Sequence, residues 1–293
     1  MSKITALKFR KCVATFMATL MTTLSLSYTQ SNQVDAIKTP EIRTYWRHNY
    51  SDSDLTLHDD YTLIVDGKSN ARTIFGDNDM VRDTDSAVVR IDGPGGTGFI
   101  VGDHTIATAA HCVYSRDKDE FLKFKISIID ANNNVIKTIS PHYVHINKNY
   151  ETARKDNASP YDYAMIYVDE DLSQYGKFNL GLALDSYADK KGSVIVSGFP
   201  QEYPEGYENA SWGIRFKAAG NITGKTSDAF QYNADTAGGC SGGPVYIEEG
   251  ITVNGKLEEY KTVIAINKAS GNWGARMTAE LLKFYGDNPY KTE

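Results

Sequence analysis

The chain has 293 residues, of which 41% are hydrophobic and 23% charged, and this content suits one or two globular domains rather than a disordered chain. The formal net charge is only −6, and both signs are mixed along the sequence. A nucleic-acid binder must neutralise many phosphates, so this balance argues against that class and favours protein or peptide partners.

The N-terminus has the layout of a secretory signal. Four basic residues lie within the first eleven positions, an apolar run covers residues 12–26, and small polar residues follow. This pattern predicts a signal peptide over residues 1–29 and a secreted, extracellular protein. A membrane anchor is the alternative, but a span needs about 20 apolar residues, and this run is shorter and rich in Thr and Ser.

Residues 30–72 are polar and rich in turn-forming side chains, and only residues 61–65 resemble a strand. We interpret this stretch as a propeptide. The segment KSNAR ends in a single basic residue, Arg72, and we predict processing after it, which gives a mature start at Thr73.

The remaining chain consists of short apolar or alternating runs broken by Gly, Asp, Asn and Pro, a pattern typical of many short antiparallel strands. About a dozen strands over such a length fit an all-β sandwich or a pair of barrels. The predicted strands cover residues 87–91, 98–101, 105–109, 124–129, 135–139, 164–168, 194–197, 214–217, 230–233, 244–247 and 263–266.

One helix is predicted near the C-terminus. Thr278 is a capping residue, and Gly286 follows as a stop. Between them, Leu281, Leu282 and Tyr285 provide an apolar face. Upstream, the polar stretch around residues 170–191 is the best candidate for an inter-domain linker.

Hydrolysis of an amide by a hydroxyl needs a base, a carboxylate that orients the base, and hydrogen-bond donors for the developing oxyanion. The segment GGCSGGPV places Ser241 between glycines, whose missing side chains allow a tight turn and let backbone N–H groups face a reacting carbonyl. The N–H groups of Gly239 and Ser241 are the candidate oxyanion donors. Alternatively, a serine in a glycine-rich loop is only a turn residue.

The candidate base is His111 in TIATAAHCV, at the end of a strand-like run. The candidate carboxylate is Asp162 in SPYDYAMIYV, immediately before another apolar strand, where it can accept the Nδ1 proton of His111. Each residue taken alone is also compatible with a structural histidine or a turn aspartate.

The segments TAAHC, an Asp before a strand, and GCSGGP occur here in the order that is found in chymotrypsin-like serine peptidases, and the sequence resembles that family over about residues 73–290. The resemblance implies a catalytic triad of His111, Asp162 and Ser241, and an all-β fold of two six-stranded antiparallel barrels with a C-terminal helix. The first barrel then covers residues 73–180 with His111 and Asp162, and the second covers residues 181–293 with Ser241. The leader segment implies a zymogen.

Within the family, TIFGDNDMVRDT, YDYAMI, SGFP and DTAGGCSGGPV resemble the bacterial glutamyl endopeptidases, the V8-like group. In that group a Thr and a His contact the substrate carboxylate; Thr236 matches the first, and Asn267 stands in the place of the second. The resemblance therefore implies a serine endopeptidase that prefers Glu or Asp at P1. However, Asp235 lies where trypsin-like members hold the carboxylate that binds Lys or Arg, so a preference for Lys or Arg, or for another P1 residue, is the alternative.

The two cysteines outside the signal segment, Cys112 and Cys240, do not form a disulfide framework by number. In family members with a cysteine beside the catalytic histidine, that cysteine usually has a partner where this chain has Gly96, so Cys112 lacks it. A cysteine nucleophile at Cys240 is disfavoured because the paired glycines of the loop follow Ser241 directly instead.

Three further histidines attract other hypotheses. His142 and His145 lack a nearby Cys or acidic ligand set, and His104 lies in a predicted turn. We therefore expect no metal and no cofactor. We also expect no membrane association after signal removal, and a monomer. The alternative of another class is a secreted, catalytically silent binding module with a protease fold.

Overall fold

The computed structural model describes residues 42–45, 80–152, 160–201, 213–253, 256–268 and 272–286. They belong to one compact unit, Pro40–Glu293, whereas a separate unit, Met1–Thr39, lies outside the described residues. The predicted signal peptide, the predicted strand at 61–65 and the predicted cleavage point therefore also lie outside them. None of the helices in the described ranges is both long and apolar enough to cross a membrane.

Strands dominate the described residues, as the short alternating runs predict. Every strand predicted within the described residues is present; the one at 135–139 has the predicted ends, and the others have shifted ends. The strands are β1 (Ile42–Tyr45), β2 (Val81–Arg82), β3 (Val88–Asp92), β4 (Gly96–Gly102), β5 (Thr105–Thr108), β6 (Tyr114–Ser115), β7 (Glu120–Phe121), β8 (Lys125–Ile129), β9 (Val135–Ile139), β10 (Tyr143–Ile146), β11 (Ala164–Tyr167), β12 (Asn179–Ala183), β13 (Ser193–Gly198), β14 (Phe216–Lys225), β15 (Ala229–Tyr232), β16 (Pro244–Val253), β17 (Lys256–Asn267) and β18 (Trp273–Arg276).

The first sheet contains seven strands in the spatial order β10-β11-β5-β4-β3-β8-β9, with every neighbouring pair antiparallel where its register is given. Strands β3 and β4 form a tight hairpin because Gly93 and Gly95 adopt φ angles of 120° and 87°, which favour glycine. Six of the seven residues of β4 are buried, so this strand runs through the interior rather than along the surface.

The second sheet closes on itself. Its strands β17, β16, β13, β14, β15 and β18 pair in turn, and β18 pairs back with β17, which completes a six-stranded barrel. Outside the ring, β12 joins β17 in parallel, β1 joins β12, and β2 joins β14; β6 and β7 form a separate hairpin.

This arrangement confirms the predicted fold class, because one closed six-stranded barrel stands beside a curled half-barrel sheet and the helices are few. The pairings among the described residues leave the first sheet as an open run of seven strands. These pairings therefore do not close the first sheet, whereas the second sheet is a closed barrel.

The residues that the structure describes contain three short α-helices: α1 (Lys148–Thr152), α2 (Asp185–Asp189) and α3 (Ala279–Gly286). The C-terminal helix α3 begins as predicted, because the backbone N–H of Leu281 donates to Oγ1 of Thr278 over 3.2 Å. The hydroxyl of Tyr285 donates to the carbonyl of Ala164 in β11 over 2.8 Å, so α3 packs on the first sheet.

The predicted linker at residues 170–191 is structured. It contains β12 and α2, and β12 extends the second sheet by pairing with β17. A polar sequence here therefore marks the border of a sheet rather than a free connection.

Candidate active site

His111 and Asp162 meet because their strands are neighbours. His111 lies in a 3₁₀ turn, Ala110–Cys112, just after β5, and Asp162 lies just before β11. Strands β5 and β11 are antiparallel with Thr108 opposite Ala164, so the end of one adjoins the start of the other. The Asp162 carboxylate lies 2.8 Å from Nδ1 of His111 and also accepts the backbone N–H of His111 at 3.0 Å. One carboxylate thus orients both the ring and the main chain of the histidine.

The charges of this pair stabilise each other. The side chain of Asp162 is only 10% exposed; burial opposes its ionisation, but the charge and hydrogen bonds of His111 outweigh burial, and the pKa of Asp162 is lowered. For His111, burial also works against the charged form, but Cys112 and Asp162 overcome it, and the pKa of His111 is raised well above 6.5. The imidazole is therefore a stronger base than a free histidine.

The nucleophile loop needs its glycines. Gly239 has φ +91°, and a Cβ at that position would overlap the carbonyl oxygen of Phe199. The loop also touches the histidine turn, since the thiol of Cys112 donates to the carbonyl of Ser241 over 3.3 Å. The structure therefore brings Ser241 beside the turn that carries His111.

The hydroxyl of Ser241 donates to the backbone carbonyl of Lys268 over 2.9 Å. Within the described ranges, no hydrogen bond joins this hydroxyl to His111. In the absence of substrate, catalytic hydrogen bonds are often unformed, and rotation about the Cα–Cβ bond redirects a serine hydroxyl.

Backbone donors are available beside Ser241. The N–H groups of Gly239 and Ser241 make no hydrogen bond within the part of the chain that the structure describes. By contrast, the carbonyls of this loop are held: Gln201 N binds Gly238 O at 2.6 Å, Thr97 Oγ1 binds Gly239 O at 2.8 Å, and Thr97 N binds Ser241 O at 2.8 Å. A rigid loop with two unused N–H groups has the properties of an oxyanion hole.

Both cysteines of the described chain are free and buried. A Cβ added to Gly96 would lie 2.9 Å from Sγ of Cys112, so Gly96 does occupy the place of a cysteine partner, as predicted. Burial raises the pKa of Cys240 to about 11, which keeps it a thiol at neutral pH and disfavours it as a nucleophile.

The three candidate specificity residues lie in different surroundings. Thr236 is half-buried, and its hydroxyl donates to Oδ1 of Asn272 over 2.6 Å. Asp235 is exposed. Asn267 is only 2% exposed; its Oδ1 accepts the hydroxyl of Tyr232, and its Nδ2 donates to the carbonyl of Cys240 over 2.9 Å.

The sequence reasoning missed Lys268, Asn272 and Tyr232. Lys268 is 2% exposed; burial lowers its pKa, although Asp162 and Asp228 oppose this effect. Its position directly after the strand that ends at Asn267 was the available signal, but nothing in the spacing indicates that its carbonyl faces Ser241.

The other three histidines among the described residues have structural surroundings. His142 lies 3.0 Å from a carboxylate oxygen of Asp169, and His145 stacks on Phe284 with ring centroids 4.8 Å apart. His104 Nδ1 lies 3.0 Å from the carbonyl of Glu170. Among the described residues there is no group of three or more His, Cys, Asp or Glu that could hold a metal ion.

A family model matches the central part of the chain. Residues 96–253, more than half of the chain, match the family model of the trypsin-like peptidase domain. The chain belongs to this family. The matched stretch includes His111, Asp162 and Ser241, together with the whole nucleophile loop.

Two known proteins are similar to the chain. A glutamyl endopeptidase of Bacillus licheniformis is 26% identical over 202 residues, which cover 62% of this chain and 57% of that protein. The solved structure of a Glu endopeptidase in complex with MPD has a TM-score of 0.57 at 17% identity, and the match covers 73% of this chain and 98% of that one. The second likeness confirms the chymotrypsin-like fold.

Proposed function

We propose that the protein is a serine endopeptidase that hydrolyses peptide bonds through an acyl-enzyme formed on Ser241. The observation that carries the proposal is the His111–Asp162 pair beside a glycine-bounded serine loop with two unused N–H donors. Family membership alone gives a fold, whereas this arrangement gives a base, a carboxylate, a nucleophile and an oxyanion site.

The chemistry follows from these positions. Ser241 leaves the Lys268 carbonyl, attacks the scissile carbonyl and transfers its proton to Nε2 of His111, while Asp162 stabilises the imidazolium. The N–H groups of Gly239 and Ser241 bind the oxyanion. His111 then gives the proton to the leaving amine, and a water activated by the same base releases the acyl group.

A preference for Glu or Asp at P1 is part of the proposal. It is supported by the similarity to a glutamyl endopeptidase and by the Thr236–Asn272 pair: the Thr236 hydroxyl donates to Oδ1 of Asn272, and the remaining side-chain donor of the pair, Nδ2 of Asn272, is suited to a carboxylate. The Lys or Arg alternative needs Asp235 enclosed at the base of a pocket, and its exposure disfavours that role.

Secretion and zymogen processing belong to the same proposal, since they rest on the signal-like N-terminus and on the segment before Arg72. N-terminal sequencing of protein recovered from the culture medium is expected to give Thr73 as the first residue. Recovery only inside the cells, or a mature start elsewhere, contradicts this part.

The second candidate is a silent binding module, which the direction of the Ser241 hydroxyl toward Lys268 favours. A fluorophosphonate probe, applied to the full-length and the N-terminally processed protein, distinguishes the two. We expect labelling of Ser241 in the processed form, no labelling of Ser241→Ala, and cleavage of a peptide library after Glu or Asp. Processed protein that neither labels nor cleaves supports the silent module.

A further inference from the structure

The peptide group between Cys240 and Ser241 is held from one side and exposes a donor on the other. Its carbonyl accepts the N–H of Gly243 at 3.0 Å and Nδ2 of Asn267 at 2.9 Å. Its N–H is that of Ser241, one of the two unused donors. Because a peptide group is planar and trans, fixing the direction of the C=O fixes the opposite direction of the N–H. Hydrogen bonds to the carbonyl also polarise the N–H and strengthen it as a donor.

The side chain of Asn267 can satisfy this carbonyl in only one orientation. A carbonyl only accepts, so Nδ2 must face Cys240, and Oδ1 then faces Tyr232, whose hydroxyl donates to it. Burial raises the pKa of Tyr232 well above 10, so this donor keeps its proton across the working pH range.

The main chain of Asn267 adds to the same contact. Its N–H donates to Gly243 O at 2.8 Å, and its carbonyl accepts Gly242 N–H at 2.7 Å. The nucleophile loop is thus bound to the end of β17 on both sides of Ser241. With 2% exposure and both ends of its amide engaged, Asn267 lies in the interior rather than in an open pocket.

We propose that Asn267 is a positioning residue of the oxyanion hole, acting through the Cys240–Ser241 peptide, and not a ligand of the substrate side chain. The proposal rests on the peptidase function proposed above. It replaces the role in P1 recognition that the sequence resemblance implies for this position.

The two roles of Asn267 predict different kinetics. A ligand of the P1 carboxylate affects KM and the preference for Glu over Gln at P1. A positioning residue affects kcat for every P1 residue alike, because the oxyanion develops at the scissile carbonyl whatever the side chain. We therefore expect Asn267→Leu to lower kcat roughly 10- to 100-fold, since complete loss of one oxyanion donor costs about 10²–10³. KM and the Glu/Gln ratio should change less than about threefold.

A transition-state analogue gives a second readout. A peptide boronic acid forms a tetrahedral adduct, so its affinity should fall by about the same factor as kcat, whereas the cleaved peptide product should bind with nearly unchanged affinity. Tyr232→Phe removes only the anchor of the amide and should produce the same pattern with a smaller loss. A merely structural role would not separate the two ligands.

Tyr187→Phe is the matched control for Tyr232→Phe. Tyr187 is 5% exposed and donates its hydroxyl to the carbonyl of Ser193 over 2.6 Å, at the start of β13 and outside the nucleophile loop. Both variants remove one largely buried tyrosine hydroxyl, but only the hydroxyl of Tyr232 is bonded to Asn267. We expect kcat of Tyr187→Phe to remain within about threefold of the wild type.

The experiment compares wild type, Asn267→Leu, Tyr232→Phe and Tyr187→Phe as processed protein, with unfolding followed by circular dichroism. Unchanged kcat in folded Asn267→Leu, a changed Glu/Gln ratio, or a loss in Tyr187→Phe equal to that in Tyr232→Phe overturns the proposal. If Asn267→Leu does not fold, Tyr232→Phe decides by the same criteria. Wild-type protein that neither cleaves peptide nor labels with fluorophosphonate contradicts the peptidase function itself, which is a distinct result.

Discussion

A disulfide is expected to form when Gly96 is replaced by cysteine. The Cβ of residue 96 would lie 2.9 Å from Sγ and 3.3 Å from Cβ of Cys112. Bridged cysteines usually have Cβ atoms about 3.5–4.5 Å apart, so closure requires β4 and the histidine turn to separate by only a few tenths of an ångström. Gly96 does not have a positive φ, so the backbone accepts a side chain.

The size of the effect follows from the closed loop. A bridge between positions 96 and 112 encloses about 17 residues, and the chain-entropy relation gives about 3 kcal/mol in the free energy of unfolding. At about 2–4 °C per kcal/mol, oxidised Gly96→Cys should unfold roughly 6–12 °C above its reduced form, less any strain. Most activity should remain, because Thr97 N still holds the Ser241 carbonyl if the weak bond from Cys112 is lost.

The assay combines thiol titration, peptide mapping without reduction, and thermal unfolding with and without reductant. Gly96→Ser is the control, since an unbonded side-chain atom so close to Sγ should destabilise the fold and respond to neither oxidant nor reductant. Gly96→Cys combined with Cys112→Ala should likewise lose the response. Two free thiols in folded, oxidised Gly96→Cys would refute the geometry on which this reasoning depends.

Two further predictions concern the pH dependence of kcat/KM. Catalysis needs neutral His111, whose pKa is raised well above 6.5, so activity should be lost as the pH falls through a midpoint above 6.5. In Asp162→Asn this midpoint should move to lower pH, and kcat should fall about 10⁴-fold. A wild-type midpoint below 6.5 would contradict the raised pKa of His111. The positive charge of Lys268 partly offsets the negative charge of Asp162, which stabilises protonated His111. Lys268→Met should therefore move the midpoint of His111 titration to higher pH. An unchanged or lower midpoint in a folded variant counts against this electrostatic coupling between Lys268 and Asp162.

Much of the fold was predictable because short-range sequence patterns determine it. The short apolar runs in β3 to β5 and the capping threonine at 278 are short-range signals, and the structure confirms both. Strand β12 was not predictable in this way, because it lies within a polar stretch that indicates a connection, and its stability comes from pairing with β17, which is remote in sequence.

The candidate site, too, was only partly predictable from the sequence. The order of the motifs predicts that His111, Asp162 and Ser241 meet, and the expected contact between Nδ1 of His111 and the Asp162 carboxylate is present, together with a hydrogen bond from the backbone N–H of His111 that was not expected. The surroundings of Asn267 and Lys268 depend on side-chain directions at the end of one strand, which residue spacing does not encode. The catalytic and specificity roles themselves remain predictions that the experiments above test.

Through Thr97, the shape of the nucleophile loop depends on both sheets. It belongs to the first sheet, yet its backbone N–H and hydroxyl hold two carbonyls of a loop that belongs to the second. The loop around Ser241 therefore lies where the two sheets meet, and it keeps its conformation only while the two sheets are in contact. Two separately produced halves of the chain should accordingly each be inert, and recovery of hydrolysis on mixing them would report their association.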